Sequence, residues 1–303
     1  MDELIPLELL EAFVEVARRG SVTKAAQTLH RSQPAISHRI KRLEEHLGAP
    51  LFEKAGRGLK PTALGERLYR EARGVLVELR DLPVKVTEWD ATPRGKVTIG
   101  TFPTMARHYL LDPYARAMGT WPEVKWVLET GLSIGLMDGL HSGRIDTLYL
   151  IGALDADGLE VDELGEVEMR VVFAPGSWRG QGPPSVDFLR AQRLLLWPGG
   201  LDPSFQLVEA HARSLGVVDR HTPEVPHIET LRELARRGLG WAILPDYVIT
   251  EDVAAGRLES WPVPGFAYTF PIRRYHLPAH HRSAAVRAFD DLVTQIGRGV
   301  MDH

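Results

Sequence analysis

The chain contains no cysteine, so it has no disulfide framework, no thiol nucleophile and no cysteine-ligated metal. It also lacks an uninterrupted run of about 18 apolar residues, the length that a membrane-spanning helix needs. The first residues, MDELIPLELLEAF, are acidic and amphipathic, whereas a secretory signal peptide has a basic start followed by an apolar run. These absences predict a cytoplasmic protein that has no membrane contact.

The charge is distributed unevenly along the chain. Residues 21–73 hold eleven Lys and Arg against five Asp and Glu, a net charge of +6, whereas the whole chain carries −4. Residues 1–20 carry −3, which leaves −7 for residues 74–303. A basic patch on an acidic chain is typical of a nucleic-acid-binding head attached to another domain. The length of 303 residues likewise predicts about two domains.

The stretch from Ser21 to Gly48 predicts two short helices joined by a tight polar turn. Ser21 is suited to cap a helix over residues 22–29, and Ser32 a second helix, in whose first turn Pro34 is tolerated. The second helix has one apolar stripe, formed by Ile36, Ile40, Leu43 and Leu47. This layout is typical of a helix-turn-helix, whose second helix enters the DNA major groove.

The other face of the second helix is polar. Gln33, Ser37 and Lys41 recur at intervals of four residues, with His38 and Arg42 beside them. Such side chains hydrogen-bond base edges and phosphates. The alternative is an ordinary amphipathic helix with a solvated face, but the paired helices, the short turn and the basic surroundings favour DNA binding. The loop EKAGRGLKPT, residues 53–62, then predicts a wing along the phosphates, with Arg57 at its tip.

These residues resemble those of the LysR-type transcriptional regulators. The matching positions are Phe13, Ala25, Ala26, Leu29, Ser32, Gln33, Pro34, Ala35, Ser37, Ile40, Leu43, Glu44, Leu47, Gly48, Leu51, Phe52, Arg57, Thr62 and Gly65. The resemblance implies a sequence-specific regulator of promoter DNA whose activity responds to a small-molecule effector. On this reading the expected base contacts are Gln33, Pro34, Ser37 and His38, and the expected phosphate contacts are Ser32, Lys41, Arg42 and Arg57.

The segment after the wing predicts a linker helix with a dimerisation seam. From Thr62, a suitable N-cap, apolar residues follow a heptad spacing at Leu68, Ala72, Val75, Leu79, Leu82 and Val86. The alternative is a helix that packs on its own domain. Pro83 is expected to kink the helix or end it at Leu82. The resemblance implies a homodimer, or a tetramer made of dimers.

The remaining two-thirds of the chain alternates strands and helices, which predicts an α/β fold with a parallel sheet. The clearest predicted strands are residues 96–102, 124–130, 145–152, 169–175, 193–199 and 241–245; helices are predicted at residues 106–118, 134–144, 203–215, 228–238 and near the C-terminus. The resemblance implies two subdomains of periplasmic-binding-protein type. The expected organisation is a winged helix-turn-helix over 1–61, a linker over 62–90 and an effector domain over 91–303, with subdomain I at about 91–162 and 266–303 and subdomain II at about 163–265.

Ligands of open α/β sheets bind at the carboxyl ends of the strands, and this rule nominates an effector site. The candidates are Thr101, Pro103, Thr104, Ser133, Gly199, Gly200, Asp202 and His227. The threonine and serine hydroxyls can hold a polar or anionic ligand, but they are equally suited to cap their helices. Asp202 is better suited to a cap, since it directly precedes a predicted helix.

One motif favours a different class of protein. Residues 131–135, GLSIG, match the nucleophile elbow of α/β-hydrolases, and Asp246 and His276 follow in the order of such a triad. No His-Gly-Gly oxyanion segment precedes the motif, so a Ser133 esterase is the weaker alternative and no catalytic residue is expected. A nonspecific architectural DNA-binding protein is the other alternative. The histidines near His276 lack metal-ligand spacing, so we expect no metal and no cofactor.

Overall fold

The computed structural model describes residues 4–56, 58–87, 92–156, 158–198, 203–266, 269–278 and 282–300. It divides into two compact units. One unit contains residues 1–91 with 141–143, and the other contains residues 92–140 with 144–303. Each unit has its own apolar core.

The N-terminal unit begins with three helices. They are α1 (Leu7–Arg19), α2 (Val22–Thr28) and α3 (Gln33–Leu47). The serines act as predicted, because the Ser21 hydroxyl accepts a hydrogen bond from the Lys24 amide and the Ser32 hydroxyl accepts one from the Ala35 amide, both at 3.4 Å. The apolar faces of the helices pack into one core, which includes Leu9, Phe13, Ala25, Ile36, Leu43 and Leu51.

A hairpin and a long helix complete the unit. Strands β1 (Phe52–Ala55) and β2 (Gly58–Pro61) pair antiparallel, and helix α4 (Ala63–Thr87) follows. The Thr62 hydroxyl caps α4 by accepting from the Gly65 amide at 3.1 Å. A Cβ atom at Gly65 would collide with the Leu51 carbonyl, so only glycine lets α4 approach the chain before β1 this closely.

Pro83 was expected to kink the linker helix or end it at Leu82, and the second of these expectations is wrong. Helix α4 runs for 25 residues and continues through Pro83 to Thr87. Proline removes one backbone hydrogen bond and crowds the preceding turn. The helix extends only four residues beyond Pro83, so the disturbed turn lies near its C-terminal end.

The second unit is built on a seven-stranded sheet. Its strands are β3 (Gly95–Thr101), β4 (Val124–Thr130), β5 (Thr147–Ile151), β6 (Glu160–Phe173), β7 (Ala242–Pro245), β8 (Glu259–Pro262) and β9 (Thr269–His276). The order is β4-β3-β5-β9-β6-β7, with β8 paired to β6. Strand β3 is parallel to β4 and β5, whereas β9 is antiparallel to β5. The predicted parallel sheet is therefore mixed.

Two long strands connect the subdomains. Strand β6 pairs with β9 and then with β7 and β8, and its register against β9 shifts between Glu163 and Gly165. Such a β-bulge bends a strand. Strand β6 runs from the range predicted for subdomain I into the range predicted for subdomain II, and β9 pairs with its first part. The names subdomain I and subdomain II are kept here for the ranges predicted from the sequence.

The helices of this unit flank the sheet. They are α5 (Pro103–His108), α6 (Leu111–Thr120), α7 (Ser133–His141), α8 (Val186–Ala191), α9 (Pro203–Ser214), α10 (Ile228–Arg236), α11 (Asp246–Ala254) and α12 (Ala284–Val300). Helix α12 packs against α6 and β3, and α10 packs against β7. Most predicted helices therefore form, close to their expected bounds.

Two predicted elements differ in the structure. The helix expected over 106–118 is divided into α5 and α6, because Pro113 has no amide to continue the first helix but is tolerated in the first turn of the second. The strand expected over 193–199 is replaced by two single β-bridges, from Leu194 to Trp241 and from Leu196 to Glu224. The apolar run that predicted it is nonetheless buried, since Leu194, Leu195 and Leu196 belong to the core.

Candidate functional site

Helix α3 separates a buried face from an exposed polar face. Ile36, Ile40 and Leu43 are buried in the core of the N-terminal unit. All seven described residues that the sequence nominates for DNA contact are exposed; they are Ser32, Gln33, Pro34, Ser37, His38, Lys41 and Arg42. The eighth, Arg57, lies outside the described residues. The geometry thus brings one continuous polar surface to the outside of the second helix of the motif.

Few internal contacts hold these exposed side chains. The Gln33 carbonyl oxygen accepts a hydrogen bond from the Thr23 hydroxyl at 3.4 Å, which leaves its amide NH₂ free to point outward. Lys41 lies 3.7 Å from Glu45, and because both side chains are mostly exposed to solvent the pair contributes little stability. Thr23 was not among the sequence-nominated residues, because its contact depends on how α2 approaches α3.

The hairpin, which packs against α1 and α4, has the form of a wing. Gly56 adopts φ 57°, a left-handed conformation that a two-residue hairpin turn needs and glycine adopts without strain. Lys54 and Lys60 are exposed on its two strands, and Lys60 lies 3.5 Å from Glu53. The wing therefore presents positive charge on both strands.

The second unit places the predicted effector residues in different surroundings. Pro103 and His227 are exposed, at the first position of α5 and the N-cap of α10, and the His227 side chain makes no cap bond. Ser133 is buried at the first position of α7. Gly199, Gly200 and Asp202 lie outside the described residues.

Thr101 does not fit an effector site. It is fully buried, and its hydroxyl donates a hydrogen bond to the Tyr149 carbonyl at 2.7 Å, between β3 and β5. A side chain without exposed surface has no room for a ligand, so the prediction for Thr101 is withdrawn. Thr101 was nominated because it lies at the end of a strand, but the sequence does not show that the neighbouring strand buries that position.

Thr104 lies where the two subdomains meet. Its hydroxyl shares a hydrogen bond with the Tyr247 hydroxyl of α11 at 3.0 Å. Nearby, the Phe102 ring meets the Phe205 ring edge-on at 6.5 Å, and Trp197 packs on Phe205 at 3.8 Å between ring centroids. A polar pair and an aromatic pair, which start from the neighbouring residues Thr104 and Phe102, therefore join the ranges predicted for the two subdomains.

Sequence reasoning missed Tyr247, His108 and Glu229. Burial raises the pKa of Tyr247 well above the usual tyrosine value, so its hydroxyl stays neutral and can donate and accept hydrogen bonds. His108 Nε2 lies 2.7 Å from Glu229 Oε1, which joins α5 to α10. Thr104 and Tyr247 lie 143 positions apart in the sequence, and His108 and Glu229 lie 121 apart, so no local pattern reveals either pair.

An apolar cavity lies beside this region in subdomain II. It has a volume of about 10 Å³, room for about one water molecule, and its lining includes Trp197, Phe205, Val208 and Ile243. The described lining is apolar apart from backbone. The cavity is too small to hold an effector unless its walls move.

The hydrolase alternative lacks its triad. The two ring nitrogens of His276 lie 2.8 Å from Asp162 Oδ2 and from the Leu277 carbonyl. The Asp246 carboxylate accepts hydrogen bonds from the Glu168 and Tyr247 amides. Since His276 and Asp246 both have other partners, they do not form with Ser133 the relay that a serine hydrolase needs.

Comparison with known proteins identifies the two units. The family model described as bacterial regulatory helix-turn-helix protein, lysR family, matches residues 7–66, and the LysR substrate binding domain model matches residues 90–297. The chain belongs to the LysR family. It is a DNA-binding transcriptional regulator that carries an effector-binding domain, and its partners are promoter DNA and a small-molecule effector.

Full-length relatives of this LysR regulator are similar over most of their length. CrgA from Neisseria meningitidis serogroup B is 28% identical over 254 residues, 83% of each chain. YeiE from Escherichia coli K12, named an HTH-type transcriptional regulator, is 28% identical over 287 residues, 95% of this chain and 96% of its own.

Solved structures share the fold at lower identity. Full-length OxyR from Pseudomonas aeruginosa superposes with a TM-score of 0.65 at 20% identity, covering 98% of this chain and 95% of that one. LysG from Corynebacterium glutamicum, solved with arginine as bound effector, has a TM-score of 0.65 at 20% identity and covers 97% and 98%. Among the described residues of this LysR regulator, no helix is long and apolar enough to cross a membrane, and no acidic or histidine cluster could hold a metal ion.

Proposed function

We propose that the exposed face of α3 reads DNA sequence while the wing lies along the phosphates. The observation that carries this proposal is the exposure of every described residue nominated for DNA contact, on a helix whose opposite face is core. The base-reading residues are Gln33, Pro34, Ser37 and His38. The phosphate contacts are Ser32, Lys41 and Arg42, with Arg57 as a further contact outside the described residues.

Two substitutions separate these roles. Lys41→Ala should weaken binding to every DNA and lower the slope of log affinity against log salt by about one, because one phosphate contact is lost. Gln33→Ala should cost about 1–3 kcal/mol on the preferred site and little elsewhere. Fluorescence anisotropy with the preferred and a scrambled site, over a salt series, measures both.

The matched control is Lys125→Ala, which removes an exposed lysine from β4 of the other unit. It should change neither the slope nor the preference. A Gln33 variant that keeps the full preference would show that the reading face is assigned to the wrong residues.

We propose that copies of the chain associate through the later part of α4. Leu68 and Ala72 of the predicted seam pack into the core of their own unit, which corrects the expected extent of the seam. Val75, Leu79 and Leu82 remain 44%, 44% and 51% exposed at heptad spacing. A twin helix would bury these three side chains, and two such dimers would form the tetramer.

The effector is proposed to bind between the subdomains at Thr104, with the exposed Pro103 and His227 as further candidates. Ser133 was also expected there, but it is buried like Thr101 and is left out of the proposed site. Gly199, Gly200 and Asp202 stay sequence predictions. The support is that Thr104 shares a hydrogen bond with Tyr247 of subdomain II, and that the neighbouring Phe102 contacts Phe205 of the same subdomain. Ligand binding can change DNA binding only by favouring one arrangement of the subdomains over another.

The regulator is proposed to act in the cytoplasm, where it reaches promoter DNA, and to catalyse no reaction. The support is that its relatives are transcriptional regulators and that His276 and Asp246 are engaged elsewhere. Hydrolysis of acyl esters that disappears in Ser133→Ala would contradict this view. We expect the parent and the Ser133→Ala variant to show the same background rate of acyl-ester hydrolysis.

A further inference from the structure

Helix α5 joins subdomain I to subdomain II through two side-chain pairs. Thr104 and Tyr247 share a hydrogen bond at 3.0 Å, and His108 lies 2.7 Å from Glu229. Both pairs start from one six-residue helix, one turn apart, and end on two different helices of subdomain II. A separation of the subdomains at this edge has to break both pairs.

The subdomain II partners are held in place before they meet α5. Glu229 lies 2.9 Å from Arg232 on its own helix, and Arg232 lies 3.3 Å from the buried carboxylate of Asp252 on α11. The Tyr247 ring packs edge-on to the His108 ring at 6.2 Å. Because α10 and α11 are tied together, Glu229 and Tyr247 present a fixed pair of acceptors and donors to α5.

The surroundings make these pairs stronger than surface contacts. The His108 side chain is only 9% exposed, and Arg107 adds a positive charge 3.9 Å from Glu229. When a partly buried hydroxyl or imidazole loses its hydrogen-bond partner, water does not fully replace the lost bond. Opening therefore has a cost that depends on these particular side chains.

We propose that Thr104, His108, Glu229 and Tyr247 form a latch that sets how readily the two subdomains separate. The proposal rests on the proposed effector cleft, because Thr104 belongs to both. A ligand that enters beside Thr104 takes the position between the two hydroxyls. The effector must then carry a polar atom that hydrogen-bonds both Thr104 and Tyr247, since an apolar group would leave two hydroxyls unpaired.

Distance measurements between the subdomains test the latch directly. The chain has no cysteine, so Lys125→Cys and Ala254→Cys place one spin label on each subdomain at exposed positions. Full-length labelled protein is mixed with excess unlabelled protein, so that each assembly holds one labelled chain. Pulsed electron spin resonance then gives the distribution of distances within a chain.

Removing either pair should widen that distribution. Tyr247→Phe and Thr104→Val should each raise the ratio of open to closed chains by roughly tenfold. The double variant should open no further than either single variant, since both remove the same bond. Glu229→Gln should add to either change, because it weakens the second pair.

The controls separate the latch from general destabilisation. Tyr114→Phe removes a hydroxyl from α6 that belongs to neither pair, and it should leave the distances unchanged. Thr104→Ser keeps the hydroxyl and should show the same distance distribution as the parent. This control needs only Thr104 variants, so it still works if Tyr247→Phe proves too unstable to label. Unchanged distances in both Thr104→Val and Glu229→Gln would overturn the proposal.

The same labelled proteins separate the latch from the proposed function. If the parent fails to bind DNA with sequence preference in anisotropy, the proposed function fails, whereas the distance distributions still decide the latch. If the parent binds DNA and the latch variants neither open nor change that binding, the latch alone is wrong.

Discussion

His30 adopts a left-handed backbone conformation, with φ 51°, in the turn between α2 and α3. It is the one described non-glycine residue with positive φ. The turn has to reverse the chain within a few residues so that α3 packs across α2, and this demand fixes the conformation. Neither charge nor apolar spacing in the sequence shows it.

We therefore expect His30→Gly to stabilise the N-terminal unit. A non-glycine residue in this conformation costs about 1 kcal/mol or more, and glycine loses part of that gain through its greater freedom in the unfolded chain. The net gain should be about 0.5–1 kcal/mol, read from the denaturant midpoint. His30 is exposed, so little packing is lost. Gln27→Gly, inside α2, should lower the midpoint; a lower midpoint for His30→Gly as well would contradict the account.

At the residue scale, exposure on a helix is predictable and exposure at a strand end is not. The apolar stripe at Ile36, Ile40 and Leu43 fixes which side of α3 faces outward, so the polar face follows from helical geometry. Thr101 ends one predicted strand and Ser133 follows another, which made both candidates for the effector site. Neighbouring strands and helices nevertheless bury both side chains. Their surroundings come from the tertiary structure.

At the element scale, helix α4 shows what periodicity can and cannot decide. The heptad spacing is real, but it serves two purposes along one helix. Leu68 and Ala72 pack on the chain's own core, and Val75, Leu79 and Leu82 stay exposed. Heptad spacing predicts that these residues share one face of the helix. Only the structure shows which of them pack on the core of the same unit and which remain exposed.

The exposed part of α4 gives a test of assembly. Leu79→Asp should yield monomers in sedimentation velocity, because an unpaired charge buried between two helices costs roughly 3–5 kcal/mol. Leu239→Asp is the matched control, since Leu239 is 49% exposed after α10. A dimer that survives Leu79→Asp would place the interface elsewhere.

Proline had opposite effects on two predicted helices. Pro83 lies inside α4 without ending it, whereas Pro113 coincides with the start of α6 after a break at Tyr109 and Leu110. The second case follows the usual preference of proline for a first turn. In the first case the helix extends four residues past the proline, which the rule that proline ends a helix does not predict.

At the scale of the whole effector unit, a polar cluster ties the crossing strands to the last helix. Arg274 of β9 donates to Asp162 of β6 at 2.7 and 2.9 Å, and Tyr149 donates to the buried Asp290 of α12. Burial raises the pKa of Asp290, while nearby arginines oppose the shift. The sequence shows none of these pairs, because they join distant parts of the chain.

This cluster predicts an acid limit for the stability of the unit. Burial raises the pKa of Asp162, but hydrogen bonds from Arg274 and His276 outweigh it and lower the pKa below its usual value. A carboxylate with a lowered pKa stabilises the folded state above its unfolded pKa of about 3.9, and that contribution is lost as the pH falls through the folded value. The stabilisation is modest because Asp162 is 43% exposed.

Asp162→Asn should accordingly lower the free energy of unfolding at pH 7, and the difference from the parent should shrink below about pH 4. Urea unfolding at a series of pH values measures it. Asp187→Asn, at a 90% exposed carboxylate, should show a smaller difference at every pH. A difference for Asp162→Asn that stays constant down to pH 3 would contradict the assigned ion pairs.

On the proposed function, this regulator recognises a particular DNA sequence through α3. The most direct test is fluorescence anisotropy of the full-length protein on the intergenic DNA beside its own gene, with excess nonspecific competitor, at two salt concentrations. We predict binding that resists the competitor and weakens as the salt concentration rises. Binding that the competitor abolishes at both salt concentrations would contradict sequence-specific recognition and favour an architectural DNA-binding protein.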